Sequence, residues 1–446
     1  ALPRALQTMT DPAKCGPVTL SFCQDVQAEA YDYPVSFFEP KVWRTRRPEP
    51  DAVELAEVID TIKAAKRPMI IAGGGVIYSD AEETFLRFAR DHNIPFAETQ
   101  AGKGAVDWED SLNLGAPGVT GGDAANIALG AADVVIGVGT RLQDFTTGSW
   151  SVFANPEHKL ISINVTAYDA GKHGAMSLVS DAKVALEKIS AALGDQSWPD
   201  HDSSARAAWY EATDALMASP NTAGLPTDAQ VIGAVQRQAL PNTVAMCAAG
   251  TMPGALHTLW RSAQGGYHME YGFSCMGYEL AGAMGVKLAR PDADVVCFIG
   301  DGSYMMANSE LATAVMRRIP YVVVMSDNRG FGCINRLQKA TGGAEFNNLY
   351  TSVNTETQPD IDFVAHAASM GAHAERAADI AELEAKIVEA RSRDIPSVIV
   401  IETDPYPGTG AGGSWWDVAV PEVSDREEVR AARATYAEQI ARLRAN

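Results

Sequence analysis

Two apolar runs, each followed at once by glycine and polar residues, constrain this chain more than any other feature. The first run, residues 295–299, ends in Gly-Asp-Gly with Asp301 at its centre, and the second, residues 321–325, leads to Asn328 and Gly330. Such runs predict buried parallel strands, and the residues between them include a helical pattern. Because α/β sheets bind ligands at the carboxyl ends of their strands, the two polar ends are predicted to form one site.

The polar ends offer oxygen atoms. Asp301 has a carboxylate, Asn328 an amide oxygen, and the turn at Gly330 can present a backbone carbonyl. This donor set suits Mg²⁺, which prefers oxygen ligands. Gly302 and Ser303 open the following helix, whose free N–H groups favour an anion such as a diphosphate. The sequence therefore predicts a metal–diphosphate anchor. An ordinary turn would explain Gly-Asp-Gly alone, but not both strand ends together.

Length and composition limit the number of domains and the classes of partner that the chain can have. At 446 residues the chain is too long for one hydrophobic core, so two or three domains are expected. The formal charge of -20 argues against a nucleic-acid partner, because phosphate binding needs clustered Lys and Arg. No window approaches the ~20 apolar residues of a membrane span, and no signal-peptide order opens the chain. A cytoplasmic protein without a membrane partner is expected.

Alternating strand and helix patterns predict an α/β fold. Residues 41–194 form the first predicted domain, with apolar strands at 68–72, 95–99, 134–137 and 160–165. Its triple-glycine turn is not GxGxxG, so a structural role is favoured over a dinucleotide site. Residues 195–225 are predicted as a linker, 226–410 as the diphosphate-binding domain and 411–446 as a tail with a charged helix. Residues 1–40 hold one predicted strand, 16–22, which cannot form a domain alone.

Two further loops belong to the predicted diphosphate-binding domain. Gly250, Thr251 and Met252 follow an apolar strand and precede a helix, so their N–H groups could approach a phosphate. Ser274 and Met276 precede a helix of small residues, where a methionine is by itself an ordinary core residue. From the residues alone, each loop is only weak evidence of a cofactor site.

Together these motifs resemble those of the thiamine diphosphate-dependent enzymes, in which Gly-Asp-Gly is followed, after a helix and a strand, by an Asn pair. Here Asp327 precedes Asn328, where many members have Asn-Asn. The resemblance implies that Asp301, Asn328 and the Gly330 carbonyl bind Mg²⁺. It also implies three-layer, parallel-sheet domains of the thiamine diphosphate-binding fold, with a Rossmann-like middle domain.

The resemblance assigns further roles. Met276 would wedge between the two rings of thiamine diphosphate, and the Ser274 carbonyl would accept a hydrogen bond from the aminopyrimidine. In the family a glutamate from the first domain, usually of a neighbouring subunit, activates the cofactor. Residues 1–40 would close that domain, and most of it would lie upstream of Ala1. The resemblance thus implies a homodimer or homotetramer, and it predicts that this length of chain is inactive alone.

Within the family, four stretches resemble the hydrolases that open a trihydroxylated cyclic 1,2-dione in inositol catabolism: 169–175, 266–279, 328–338 and 415–418. This resemblance implies a small cyclic polyol dione as substrate, thiamine diphosphate and Mg²⁺ as cofactors, and 5-deoxyglucuronic acid as product. Two alternatives stay open. One is an acetolactate synthase-like carboligase with FAD in the middle domain, and the other is a non-catalytic diphosphate-binding subunit.

The sequence identifies residues for proton transfer less specifically than it identifies the cofactor loops. His268 and His257 lie near the predicted cofactor loops, and an imidazole can exchange a proton near neutral pH. A structural or surface imidazole explains each of them equally well. Glu279 is interpreted as a helix-end or solvated charge, and Arg336 either as a ligand of substrate hydroxyls or as a surface residue.

Overall fold

The computed structural model describes residues 1–218, 224–270, 272–358, 360–409 and 412–445. The N-terminal segment contains α1 (Leu2–Thr10), α2 (Gln24–Gln27) and a 3₁₀ turn at Val35–Phe38. The strand predicted at residues 16–22 is absent, and these residues are largely exposed. A strand needs a neighbouring strand to pair its backbone groups, and no described segment pairs with this one.

The middle domain is a three-layer α/β unit around a five-stranded parallel sheet in the order β2-β1-β3-β4-β5. Its strands are β1 (Pro68–Ala72), β2 (Phe96–Glu98), β3 (Val134–Val138), β4 (Lys159–Asn164) and β5 (Met176–Val179). Its helices are α3 (Ala52–Lys63), α4 (Gly74–Tyr78), α5 (Glu82–His92), α6 (Asp123–Ala131), α7 (Asp144–Thr147), α8 (Ala167–Ala170) and α9 (Ala182–Leu193). The four predicted strands are present, and β5 is an additional one.

The side chains of β1 point alternately to the two faces of this sheet, and each face carries a hydrophobic core. Ile70 packs with Val58 and Phe85 of the helices on one side, and Ile71 packs with Leu129 of α6 on the other. Successive side chains of a strand point to opposite faces, and a parallel sheet must cover both. This is why the whole of β1 is buried and apolar.

The segment predicted as a linker contains a helix, α10 (Ser204–Met217). Trp209 packs in the core of the middle domain, whereas Met217 packs in the core of the following domain. The helix therefore connects the two domains through buried apolar contacts at both of its ends.

The second sheet is six-stranded and parallel, in the order β10-β11-β9-β8-β6-β7. Its helices are α11 (Asp228–Arg237), α12 (Thr251–Leu259), α13 (Tyr278–Ala289), α14 (Asp301–Met306), α15 (Glu310–Met316), α16 (Gly332–Ala340), α17 (Phe363–Ser369) and α18 (Ile380–Ala390). Its strands are β6 (Thr243–Cys247), β7 (Tyr267–Met269), β8 (Asp294–Gly300), β9 (Val322–Asp327), β10 (His373–Ala377) and β11 (Ser397–Glu402). The parallel α/β fold class expected from the sequence is confirmed in both domains.

The centre of this sheet sets the position of the site. β8 pairs with β9 on one side, with Gly300 opposite Ser326, and with β6 on the other. The residues that follow all three strands therefore meet at one edge, as expected for parallel strands.

The C-terminal segment crosses back over the middle domain before it forms α19 (Glu427–Ala445). The Ser414 amide donates to the Gly118 carbonyl at 2.9 Å, and Trp416 Nε1 donates to Asp144 Oδ2 at 2.6 Å. This segment therefore ties the end of the chain to the middle domain. Within the described ranges, no helix is both long enough and apolar enough to cross a membrane.

Candidate active site

Two buried oxygens without a hydrogen-bond partner lie where β8 and β9 end. Asp301 is 2% exposed; its Oδ2 accepts from the Gly330 amide at 2.8 Å, whereas its Oδ1 has no partner among the described residues. Asn328 is 9% exposed, and its Oδ1 likewise has none. Burying unpaired oxygens costs free energy unless a ligand satisfies them. Two hard oxygens at one sheet edge fit a Mg²⁺ ion.

The raised pKa of Asp301 fits a carboxylate that binds a metal ion. Burial, followed by the nearby Asp327 carboxylate, raises the pKa of Asp301 to about 7. A bound cation would favour the ionised carboxylate and reverse this effect. In the described part of the chain, no three His, Cys, Asp or Glu side chains cluster so as to hold a metal. A metal here would therefore need neutral oxygens, such as those of Asn328 and the backbone.

The turn that carries the third predicted ligand requires glycine. Gly330 has a φ of +144°, and a Cβ there would lie 2.4 Å from the carbonyl oxygen of Asn348. Gly330→Ala is expected to destabilise the protein by about 2 kcal/mol and to weaken Mg²⁺ binding, because strain and the clash displace the turn. Thermal denaturation and Mg²⁺ titration measure the two effects. Gly285→Ala, where a Cβ would meet nothing within 4 Å, is the matched control and should leave both unchanged or slightly improved.

Glu279 connects three segments at this sheet edge. It is 0% exposed; its Oε1 accepts from the Ala249 amide at 3.3 Å and the Ser303 hydroxyl at 2.7 Å, and its Oε2 accepts from the Gly277 amide at 2.9 Å. Burial raises the pKa of this carboxyl. The interpretation of Glu279 as a solvated charge is therefore wrong. The one signal in the sequence was a carboxylate at the start of a helix otherwise rich in small residues.

The loop after β6 is held by Arg336. Gly250, with a φ of +79°, precedes α12, and the hydroxyl of Thr251 accepts from Arg336 Nη2. Arg336 also donates to the Pro405 carbonyl at 2.7 Å and lies 3.7 Å from Asp228 Oδ2. Its guanidinium therefore clamps the start of α12 rather than extending into solvent.

The remaining predicted cofactor residues surround the same edge. Met252 is 3% exposed and packs in the core, so only its backbone N–H could reach a diphosphate. Met276 Cε lies 3.6 Å from the point that a Cβ on Gly302 would occupy. Ser274 is exposed, with a φ of +51°. Ser303 uses its hydroxyl for the contact with Glu279, which leaves its backbone N–H as the possible donor.

The two predicted histidines differ. His257 is 3% exposed; its Nε2 is 2.9 Å from the Glu98 carbonyl oxygen and its Nδ1 is 2.9 Å from Thr120 Oγ1. Burial and then Lys103 lower its pKa to about 3. With both ring nitrogens engaged, this arrangement favours a structural role for His257 between the domains, against the expectation of an acid or base.

Only one ring nitrogen of His268 has a hydrogen-bond partner among the described residues. It lies on β7, where its Nε2 is 3.1 Å from the Tyr278 hydroxyl and burial lowers its pKa. Its Nδ1 has no hydrogen bond to any residue that the structure describes. His268 thus remains the candidate for proton transfer.

Comparison with known proteins identifies the family. A model of the central domain of thiamine pyrophosphate enzymes matches residues 55–189, and a model of their C-terminal TPP-binding domain matches residues 248–401. A relative from Geobacillus thermodenitrificans, named 3D-(3,5/4)-trihydroxycyclohexane-1,2-dione hydrolase, is 40% identical over 97% of this chain and 72% of its own length. The chain belongs to the thiamine pyrophosphate enzyme family.

Other relatives with the same name support this assignment. The protein of Clostridium perfringens is 38% identical over 97% of this chain and 73% of its own length. That of Clostridium tetani is 37% identical over 100% of this chain and 74% of its own length. The part of the chain that matches the TPP-binding domain contains every residue predicted to hold cofactor or metal, namely Gly250, Thr251, Met252, Ser274, Met276, Asp301, Gly302, Ser303, Asn328 and Gly330.

Proposed function

We propose that this thiamine pyrophosphate enzyme opens the ring of 3D-(3,5/4)-trihydroxycyclohexane-1,2-dione by hydrolysis, with Mg²⁺ as the metal and 5-deoxyglucuronic acid as the product. The observation that carries the proposal is the pair of buried oxygens of Asp301 and Asn328 at adjoining strand ends, neither of which has a hydrogen-bond partner among the described residues. The names of the similar proteins support a hydrolase over a carboligase. Assembly as a homodimer or homotetramer and a cytoplasmic location remain predictions.

The residues that would hold the cofactor divide into metal ligands and diphosphate donors. Asp301, Asn328 and the Gly330 carbonyl would bind Mg²⁺, which prefers such oxygens together with those of a phosphate. The N–H groups of residues 250–252 and 302–303 would donate to the diphosphate. The ion pair and hydrogen bonds of Arg336 support the first of these loops, and Glu279 supports both.

The reaction adds one water across one carbon–carbon bond. The bond between the two carbonyl carbons breaks, the hydroxyl of water goes to the carbon that becomes the carboxylic acid, and a proton goes to the carbon that becomes the aldehyde. Thiamine diphosphate, when bound, supplies the carbon nucleophile and the electron sink for this cleavage. We assign the chain's own proton transfer to His268, whose Nδ1 has no partner among the described side chains and backbone groups.

Because this length of chain is predicted to be inactive alone, the proposal is tested on the protein extended by the first domain that the resemblance implies. It is supplied with thiamine diphosphate, Mg²⁺ and the cyclic dione, and the acid is followed by mass spectrometry. We expect product only when the cofactor and the metal are both present. Pyruvate is the control substrate, because a carboligase would condense it. Condensation of pyruvate without hydrolysis of the dione would overturn the proposal, as would the absence of both reactions in the loaded protein.

A further inference from the structure

A cavity of ≈ 890 Å³ lies between the two domains. On one side it is lined by Gly250, Thr251 and Ser274, which are predicted cofactor residues, and on the other by Lys172 and His173 of the middle domain. Its volume is within the range of small-molecule sites, ~300–1,000 Å³. This cavity therefore joins the predicted cofactor loops to polar side chains that the diphosphate anchor does not use. His268 lines an adjoining cavity of ≈ 690 Å³ that shares Gln100, Met269 and Gly272 with this one.

The middle-domain wall of the cavity is unusually strained. Leu142, Trp150 and His173 all line it, and they have φ values of +46°, +71° and +62°. Residues other than glycine rarely adopt this left-handed conformation, and where they do, the surrounding structure must hold them in place. Contacts with neighbouring residues must therefore hold these backbone conformations in place, although His173 itself is exposed.

The chemistry of His173 is set by its neighbours. Its Nε2 is 3.1 Å from the Leu142 carbonyl oxygen, and the Trp150 ring packs edge-on with its centroid 4.3 Å away. A carbonyl oxygen can only accept, so Nε2 must carry the hydrogen. In the neutral ring Nδ1 is then an acceptor, and no described residue donates to it. The geometry leaves a fixed acceptor on this wall, suited to a hydroxyl group.

Lys172 supplies a donor beside this acceptor. Its Nζ donates to the Arg141 carbonyl at 3.0 Å and lies 3.4 Å from Asp169 Oδ1. An ammonium group has three hydrogens, so a further one remains for a ligand oxygen. Trp416 and Trp150 line the same cavity and offer apolar surface to the carbon face of a ring. A neighbouring donor and acceptor with apolar ring contacts match a small, uncharged, polyhydroxylated ring.

We propose that this cavity is the polyol-binding chamber and that His173 and Lys172 of the middle domain determine specificity by binding substrate hydroxyls. The inference rests on the proposed function, and it assigns to the middle domain a role in substrate recognition. Neither residue is assigned to the metal or the cofactor. Their loss should therefore weaken substrate binding and leave thiamine diphosphate binding unchanged.

The test separates binding from turnover. The dione is titrated by calorimetry into protein free of thiamine diphosphate, so that no reaction occurs, using wild type, His173→Ala and Lys172→Met. We expect wild type to bind, and each variant to bind about tenfold more weakly, as for one lost hydrogen bond. In the loaded enzyme, KM for the dione should rise by a similar factor, and kcat should change less. The affinity for thiamine diphosphate, measured by calorimetry, should equal that of wild type. An unchanged cofactor affinity shows that the variants are folded.

His158→Ala is the matched control. His158 is another middle-domain histidine, with Nδ1 2.7 Å from the Asn155 carbonyl oxygen and its ring stacked on Phe153, but it does not line the cavity. It should bind the dione as wild type does. Equal binding by wild type and both cavity variants would overturn the inference, and so would a wild-type protein that does not bind the dione. Binding by this chain without turnover by the loaded enzyme that includes the first domain would instead reject the proposed reaction and keep the chamber.

Discussion

Replacing Asp301 by alanine is expected to weaken Mg²⁺-dependent binding of thiamine diphosphate by roughly a hundredfold or more. The change removes the one charged ligand among the three predicted metal ligands, and losing a buried charge partner costs about 3–5 kcal/mol. Asp301→Asn keeps the shape and the acceptor for the Gly330 amide, so it should lose metal affinity with little loss of stability. Calorimetric titration of thiamine diphosphate, with and without Mg²⁺, measures the effect.

Asp327→Asn is the matched control for this experiment. Asp327 is a second buried carboxylate at the same strand ends, 3.8 Å from the Arg329 guanidinium. Its amide variant should keep Mg²⁺-dependent binding. If Asp327→Asn lost the cofactor and Asp301→Asn kept it, the assignment of the metal ligands would be reversed.

The pH dependence of binding gives a second readout of the same site. Mg²⁺ and a proton compete for Asp301, whose pKa is raised to about 7, so affinity should be level above about pH 7 and fall about tenfold per unit below it. Asp327 is the second cause of that raised pKa. Asp327→Asn should therefore move the decline to lower pH. Identical profiles for the two proteins would show that the Asp327 carboxylate does not raise the pKa of the competing group.

Replacing Glu279 by alanine is expected to destabilise the protein by about 3 kcal/mol or more. The change removes the acceptor for the Ala249 amide and the Ser303 hydroxyl, and each buried donor left unpaired costs ~1–3 kcal/mol, whereas the Gly277 amide keeps Ser303 Oγ as an acceptor. The alanine variant should also bind thiamine diphosphate more weakly, because two of the three segments carry predicted diphosphate donors. Thermal denaturation and cofactor titration measure the two effects.

Glu279→Gln separates the hydrogen bonds from the charge. Its amide oxygen can still accept from Ala249 and Ser303, while the Gly277 amide keeps a second acceptor in Ser303 Oγ at 2.9 Å. The loss of stability should therefore be smaller than for alanine, below about 1 kcal/mol, since desolvation of the carboxylate is relieved as well. Equal destabilisation by both variants would argue that the charge, and not the hydrogen-bond geometry, joins the segments.

Local patterns predicted the three central strands whose ends carry the site, but not the other three strands of that sheet. The apolar strand predicted before Gly250 is present as β6, and β8 and β9 lie within two residues of their predicted ends. Buried parallel strands are continuous apolar runs, and Gly, Asp and Asn mark where they stop. The predicted metal ligands Asp301, Asn328 and Gly330 come from those ends, because neighbouring parallel strands end at one edge.

Other elements could not be predicted in this way. β5 has a mixed pattern of partly buried residues, and α10 lies in a stretch whose polar beginning resembles a linker. The apolar run at 16–22 was predicted as a strand and is not one, since a strand forms only where another strand pairs with it. In each case the outcome depends on a partner far away in the sequence.

The sequence by itself determined the fold class and the family to which the chain belongs, and it predicted the position of the metal–diphosphate anchor, because these depend on strand ends and on short motifs that are local. Only the tertiary structure decided which polar side chains are buried and what they contact. Glu279, Arg336, His257 and His173 are ordinary polar residues in the sequence, and their roles arise from segments distant in the chain. Burial and hydrogen bonding are properties of that packing, so no local pattern contains them.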